Sequence, residues 1–171
     1  MPEENPFWDF SVKLYGREGV PPACLRLQDS YNADVNILMY CCWVAWDRTM
    51  RLDSQATGRI LASVDAWKKD VVVPLRTIRR DLKDATHQGI DPKLQERLRS
   101  EIKGIELRSE RLQQDALFAL PLPEPPEDAS DARASALENV LLYLQTLPTE
   151  VDDAAHRDVE FIVDAIFEAP L

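Results

Sequence analysis

The sequence predicts an all-α fold: a single compact bundle of six to eight helices around one buried central helix. Three observations carry that prediction. Only five of the 171 residues are glycine, too few for a turn-rich β sandwich. No segment alternates apolar and polar residues at period two, whereas several repeat at three to four. The twelve prolines gather in the gaps between apolar segments, where they start or separate helices. With 45% hydrophobic and 29% charged residues the chain has an ordinary globular composition, and its length suffices to bury a core.

The first helix is expected over Pro6 to Tyr15. Asn5 can cap it, proline occupies its first position, and Gly16 stands where a left-handed terminal residue is wanted. Phe7, Phe10 and Leu14 share its inner face, with Trp8 and Tyr15 to the side. Pro21 or Pro22 opens a short second helix to about Ser30. The third, about Ala33 to Met50, is apolar nearly all round from Ile37 to Trp46, as a helix covered by its neighbours must be.

Asp53 or Ser54 caps a fourth helix running through Trp67. Pro74 then interrupts a helical pattern, so a kink or break is expected between Asp70 and Val73. Beyond it, Val71, Leu75, Ile78 and Leu82 form an apolar stripe, with Arg76, Arg79, Arg80 and Lys83 as a basic stripe beside it. Gly89 ends this segment. Asp91-Pro92 starts a long helix to about Ala119, with Leu94, Leu98, Ile102, Ile105 and Leu112 expected to face inward. The stretch PLPEPPEDASD reads as an extended acidic connector. Two helices close the chain, about Asp131 to Leu147 and Asp152 to Phe167. The resulting division is a main helical domain over 1–120, the connector over 121–131, and two C-terminal helices over 132–171 packed on the same domain.

The net charge of −10 is unevenly placed. Residues 1–123 hold 18 acidic and 18 basic side chains, and residues 124–171 hold 12 acidic and 2 basic. That field disfavours nucleic acid and suits a basic protein partner at the C-terminal part. The N-terminus shows no secretory pattern, and the longest apolar run, Val35 to Trp46, is shorter than the ~20 residues of a membrane span. Three cysteines, two of them adjacent, read as reduced thiols of a cytoplasmic protein.

The strings FWDFSVKLYG, VPPACLRLQD, DVNILMYCCWVAW, W…VVVPLR and IKGIELRSERLQQDAL follow in this order between Phe7 and Leu117. Together they resemble an uncharacterised family of small bacterial proteins, a domain of unknown function. The resemblance implies a helical cytoplasmic protein and supplies no reaction.

Candidate site residues follow from chemistry that is out of place. Asp29, Asn32, Asp34 and Asn36 lead into the apolar third helix. They fail as a calcium loop, because with Asp29 first, the third and fifth positions are Tyr31 and Ala33 and the sixth is Asp34 rather than glycine. As helix punctuation, Asn32 caps and Asp34 lies in the first turn. Asn36 enters a buried helix, so its amide must find partners. The cluster therefore reads either as capping plus one internal network or as a ligand or partner site.

Glu106 and Glu110 stand four apart, but neither histidine follows a glutamate by three, so a di-iron site is not indicated. No zinc pattern, phosphate loop or nucleophile elbow occurs, and no cofactor or metal is expected. The stripe Arg76, Arg79, Arg80, Lys83 lacks interleaved aromatic residues, which disfavours nucleic acid. It is a solvated face, or a docking ridge for the acidic tail or a partner. Trp8 is core or an exposed anchor.

Two functions follow. One is a non-enzymatic interaction or adaptor protein that meets a protein partner or a second copy, without nucleic acid or membrane, its acidic C-terminal part a possible partner surface. The other is a small-molecule or metal binder, with or without enzymatic activity, around Asp29, Asp34, Asn36 and Glu106.

Overall fold

The computed structural model describes residues 4–122 and 131–168, and their regular structure is helical throughout. The connector expected over 121–131 lies mostly outside the described residues. Eight α-helices follow one another: α1 (Pro6–Tyr15), α2 (Val20–Tyr31), α3 (Val35–Arg48), α4 (Ser54–Trp67), α5 (Val73–Asp84), α6 (Pro92–Phe118), α7 (Ala132–Leu144) and α8 (Asp153–Phe167).

Helix starts follow the capping chemistry. The Asn5 side chain accepts from the Trp8 amide at 3.1 Å, and Asp53, Asp91, Asp131 and Asp152 cap α4, α6, α7 and α8 in the same way. Gly16 is not left-handed (φ −74°), because the chain tightens there, with Arg17 N–H bonding Leu14 O at 3.1 Å. The left-handed residue is Gly19, at φ 83°, just before α2. A Cβ at Gly19 would stand 2.5 Å from Cζ of Phe161. Gly19→Ala therefore adds left-handed strain to a ring displacement, and is expected to cost about 2 kcal/mol in urea unfolding. A loss below about 0.5 kcal/mol would show that the turn relaxes freely.

Helix α3 is the centre. Every residue from Asn36 to Ala45 is buried, with α7 lying along it and α1, α2 and α6 covering the rest. Phe7 of α1 meets Tyr40 edge-on at 5.2 Å, and Trp43 meets Phe118 of α6 at 5.6 Å. Helix α8 packs on α2 and α7, and Arg26 Nε donates to Asp158 at 3.0 Å across the first of these contacts.

Pro74 does not break the chain. A π-helical turn, Lys68–Val72, joins α4 to α5 with helical backbone on both sides, and Val73 N–H reaches back to Lys68 O. Proline has no N–H to offer a carbonyl one turn back, and the wider turn absorbs the mismatch. Helices α5 and α6 then pair as an arm.

The inward stripes expected for this arm are corrected in part: Val71, Leu75, Leu82 and Ile102 are half-buried, whereas Ile78 is exposed. No residue of α5 is buried, and Leu94, Leu98, Ile105 and Leu112 of α6 are exposed. What α6 buries is Glu106, Ser109, Gln113, Gln114 and Leu117. Its polar face points in because the helices beneath it supply polar partners.

Candidate functional site

The polar residues Glu106, Ser109, Glu110, Gln113 and Gln114 recur at helical spacing and form a seam beneath α6. At one end it meets α5. Arg76 Nε donates to Glu106 at 3.1 Å, a second Arg76 nitrogen donates to Glu110 at 2.8 Å, and Arg79 Nε donates to the other Glu106 oxygen. Two guanidiniums thus share one buried carboxylate. Midway, the Trp67 indole N–H donates to the Ser109 carbonyl at 2.9 Å.

At the other end lies the start of α3. Asn36 Nδ2 donates to Gln113 Oε1 at 3.0 Å, Gln113 Nε2 donates to Asp34 at 2.8 Å, and Gln114 Nε2 donates to Asn36 Oδ1 at 2.9 Å. The Asp34 amide donates to Tyr143 Oη at 2.6 Å, and Lys68 Nζ, placed by the π turn, stands 3.8 Å from the Asp34 carboxylate. Among the described residues, Gln114 Oε1, Trp43 Nε1 and Tyr40 Oη are buried without a hydrogen-bond partner.

The two glutamates titrate in opposite directions. Burial pushes the Glu106 carboxyl up, but hydrogen bonds from Arg79 and Arg76 outweigh it and hold the group below the usual range. For Glu110 burial dominates, with Arg76 compensating only partly, and its carboxyl is raised. Burial pushes the Cys24 and Cys41 thiols up to about 12 and Cys42 well above its ordinary value, so none is a ready nucleophile.

The residues singled out from sequence are dispersed. Asp34 and Asn36 join the internal network. Asn32 does not cap α3; it is the left-handed C-terminal residue of α2 (φ 57°), and Asp34 itself is the N-cap, accepting from the Asn36 amide at 2.9 Å. Asp29 lies apart on the surface, paired with Arg80 at 3.1 Å. Arg76 and Arg79 are not a free solvated face, since both bond Glu106 and Arg76 also bonds Glu110. Lys83 is exposed at the end of α5. Trp8 is half-buried on the far flank of α6, with the Arg111 guanidinium 4.7 Å over its ring.

Gln113, Gln114, Lys68 and Tyr143 were missed. The signal for the two glutamines is the polar period 106, 109, 110, 113 on α6. Lys68 and Tyr143 leave no mark in sequence, because long-range packing brings them to Asp34. Among the described residues, no group of three His, Cys, Asp or Glu could hold a metal ion, and no helix is long and apolar enough to cross a membrane.

Residues 6–117 match the family described as "Protein of unknown function (DUF2390)", and the chain belongs to that family. The span agrees closely with the Phe7 to Leu117 stretch that carries the motifs. No curated protein and no solved structure matches the chain.

Proposed function

We propose that this protein is a non-enzymatic interaction module that holds a protein partner on the outer face of the α5–α6 arm. One observation carries the reading. Helix α6 spends its polar residues inward and leaves Leu94, Leu98, Ile105 and Leu112 outward, the reverse of a helix meant only to cover a core. Exposed apolar stripes of this kind mark binding surfaces more often than chance. The dispersal of Asp29 from Asp34, and the mutual satisfaction of Asn36 and Gln113, favour this reading over a small-molecule site. Three free, buried cysteines suit a cytoplasmic setting. The acidic C-terminal part then repels acidic neighbours and leaves the nearly neutral arm as the place of contact.

A photo-crosslinking residue placed at 98 or 112, and at 160 on α8, tests the proposal in cells of the source organism. Protein adducts from 98 and 112 are expected. Adducts from 160 alone would move the partner surface to the acidic helix, and none from any position would remove the reading.

A further inference from the structure

The arm is self-complementary. Leu98 and Leu112 lie seven residues to either side of Ile105, and Glu101 and Arg108 stand four before and three after it. Seven residues is close to two helical turns, so the three apolar side chains share one ridge with Leu94 near its end. All four are open to solvent, at 63% for Leu94, 49% for Leu98, 43% for Ile105 and 55% for Leu112. Laid antiparallel on a copy of itself about a two-fold axis through Ile105, α6 sets Leu98 against Leu112 of the second copy and Ile105 against Ile105. The same operation brings Glu101 beside Arg108 of the second copy, twice over.

Charge favours this meeting place. Residues 73–118 hold ten Lys or Arg and eight Asp or Glu, a balance of +2 in a chain of −10. Two copies meeting through residues 124–171, with 12 acidic and 2 basic side chains, would bring strongly acidic faces together, whereas two arms meet with nearly neutral faces and matched alternation. The segment 123–130, PEPPEDAS, has no large apolar side chain with which to cover the ridge.

Resting on the interaction-module reading, we infer that the occupant of this ridge is a second copy of the chain, joined through an antiparallel α6–α6 contact centred on Ile105. The interface is isologous, so it closes at a dimer. Glu101 keeps its Arg97 partner, at 3.3 Å within the helix, while accepting from Arg108 across the axis.

Sedimentation equilibrium of the full chain, paired with cysteine crosslinking, tests this. Ile105→Cys is expected to yield a covalent dimer on oxidation, and Leu98→Cys to crosslink when mixed with Leu112→Cys. Arg108→Glu and Glu101→Arg are each expected to weaken the dimer about tenfold or more, and the double exchange to restore it. A monomer at all concentrations, with photo-adducts from position 98 reaching a different protein, overturns the dimer and leaves the module reading standing. A monomer with no adducts removes both. A dimer without the 105–105 link, or an intramolecular link from 98 to the connector, also overturns the inference.

Discussion

Asn36→Leu is expected to lower stability by about 3 kcal/mol, although it places a better helix former and a more apolar side chain in the most buried helix of the molecule. The loss arises on α6. Gln113 Oε1 loses its donor and Gln114 Nε2 its acceptor. Both glutamines are nearly sealed from water, at 1% and 4% exposure, so neither can turn outward for a substitute. Each stranded group costs ~1–3 kcal/mol, and the added apolar contact offsets only part of the sum. Asn36→Ala adds a small cavity to the same defect and is expected to cost at least as much. Replacing Gln114 as well as Asn36 by an apolar residue removes both sides of the Gln114–Asn36 bond and is expected to cost less than Asn36→Leu alone. Urea unfolding of the three variants decides it. A loss under about 1 kcal/mol for Asn36→Leu would mean that the network is not a stabilising lock.

Glu106→Ala is the second large effect, expected near 3 kcal/mol, since removing a buried charge leaves its counter-charges uncompensated. Arg76 and Arg79 both bond Glu106, and their side chains are only 20% and 22% exposed. Arg76 retains Glu110; Arg79 retains nothing in this cluster. Glu110→Gln, by contrast, is expected to be nearly neutral at pH 7, because burial already disfavours that carboxylate. The pH dependence separates the two. Glu106 is held below the usual carboxylate range, so its stabilisation is complete above the unfolded value of about 4.3 and is lost as pH falls through its lowered folded value. Glu110 is raised, so its protonation on the way down favours the folded state. Glu106→Ala is therefore expected to shrink the acid-side loss of stability and Glu110→Gln to deepen it, measured as unfolding free energy from pH 7 to 3. Equal acid profiles for both variants would contradict the assignment.

Local signals in the sequence located the helices well. Asn5-Pro6 and Asp91-Pro92 marked two starts that the structure reproduces, and the unbroken apolar run marked α3 as the centre. Each of these depends on neighbours within a turn or two. The arm was misread because apolar periodicity says which residues share a face and is silent on which way that face turns. For α6 the answer depends on Arg76 and Arg79, some thirty residues back, and on Asp34 and Asn36, far earlier still. Only packing brings those groups under it. The need of Asn36 for partners was legible from burial alone; that Gln113 and Gln114 meet it was not. The turn at Pro74 shows the same limit, since proline predicts a disturbance and the surrounding contacts choose a π turn over a break.

The absence of any buried side chain on α5 has a thermal counterpart. A cooperative unit held by apolar burial resists opening in proportion to the area it would hydrate, and α5 has little to hydrate. Its tether is the ion pairing to Glu106, Glu110 and Asp29. Amide protons along α5 therefore exchange through partial openings well before those of α3, which await global unfolding. Such openings respond weakly to denaturant, which reports exposed area, and strongly to ionic strength, which screens the tether. A partner laid along the arm would be felt first as slowed exchange in the one helix that no core holds down.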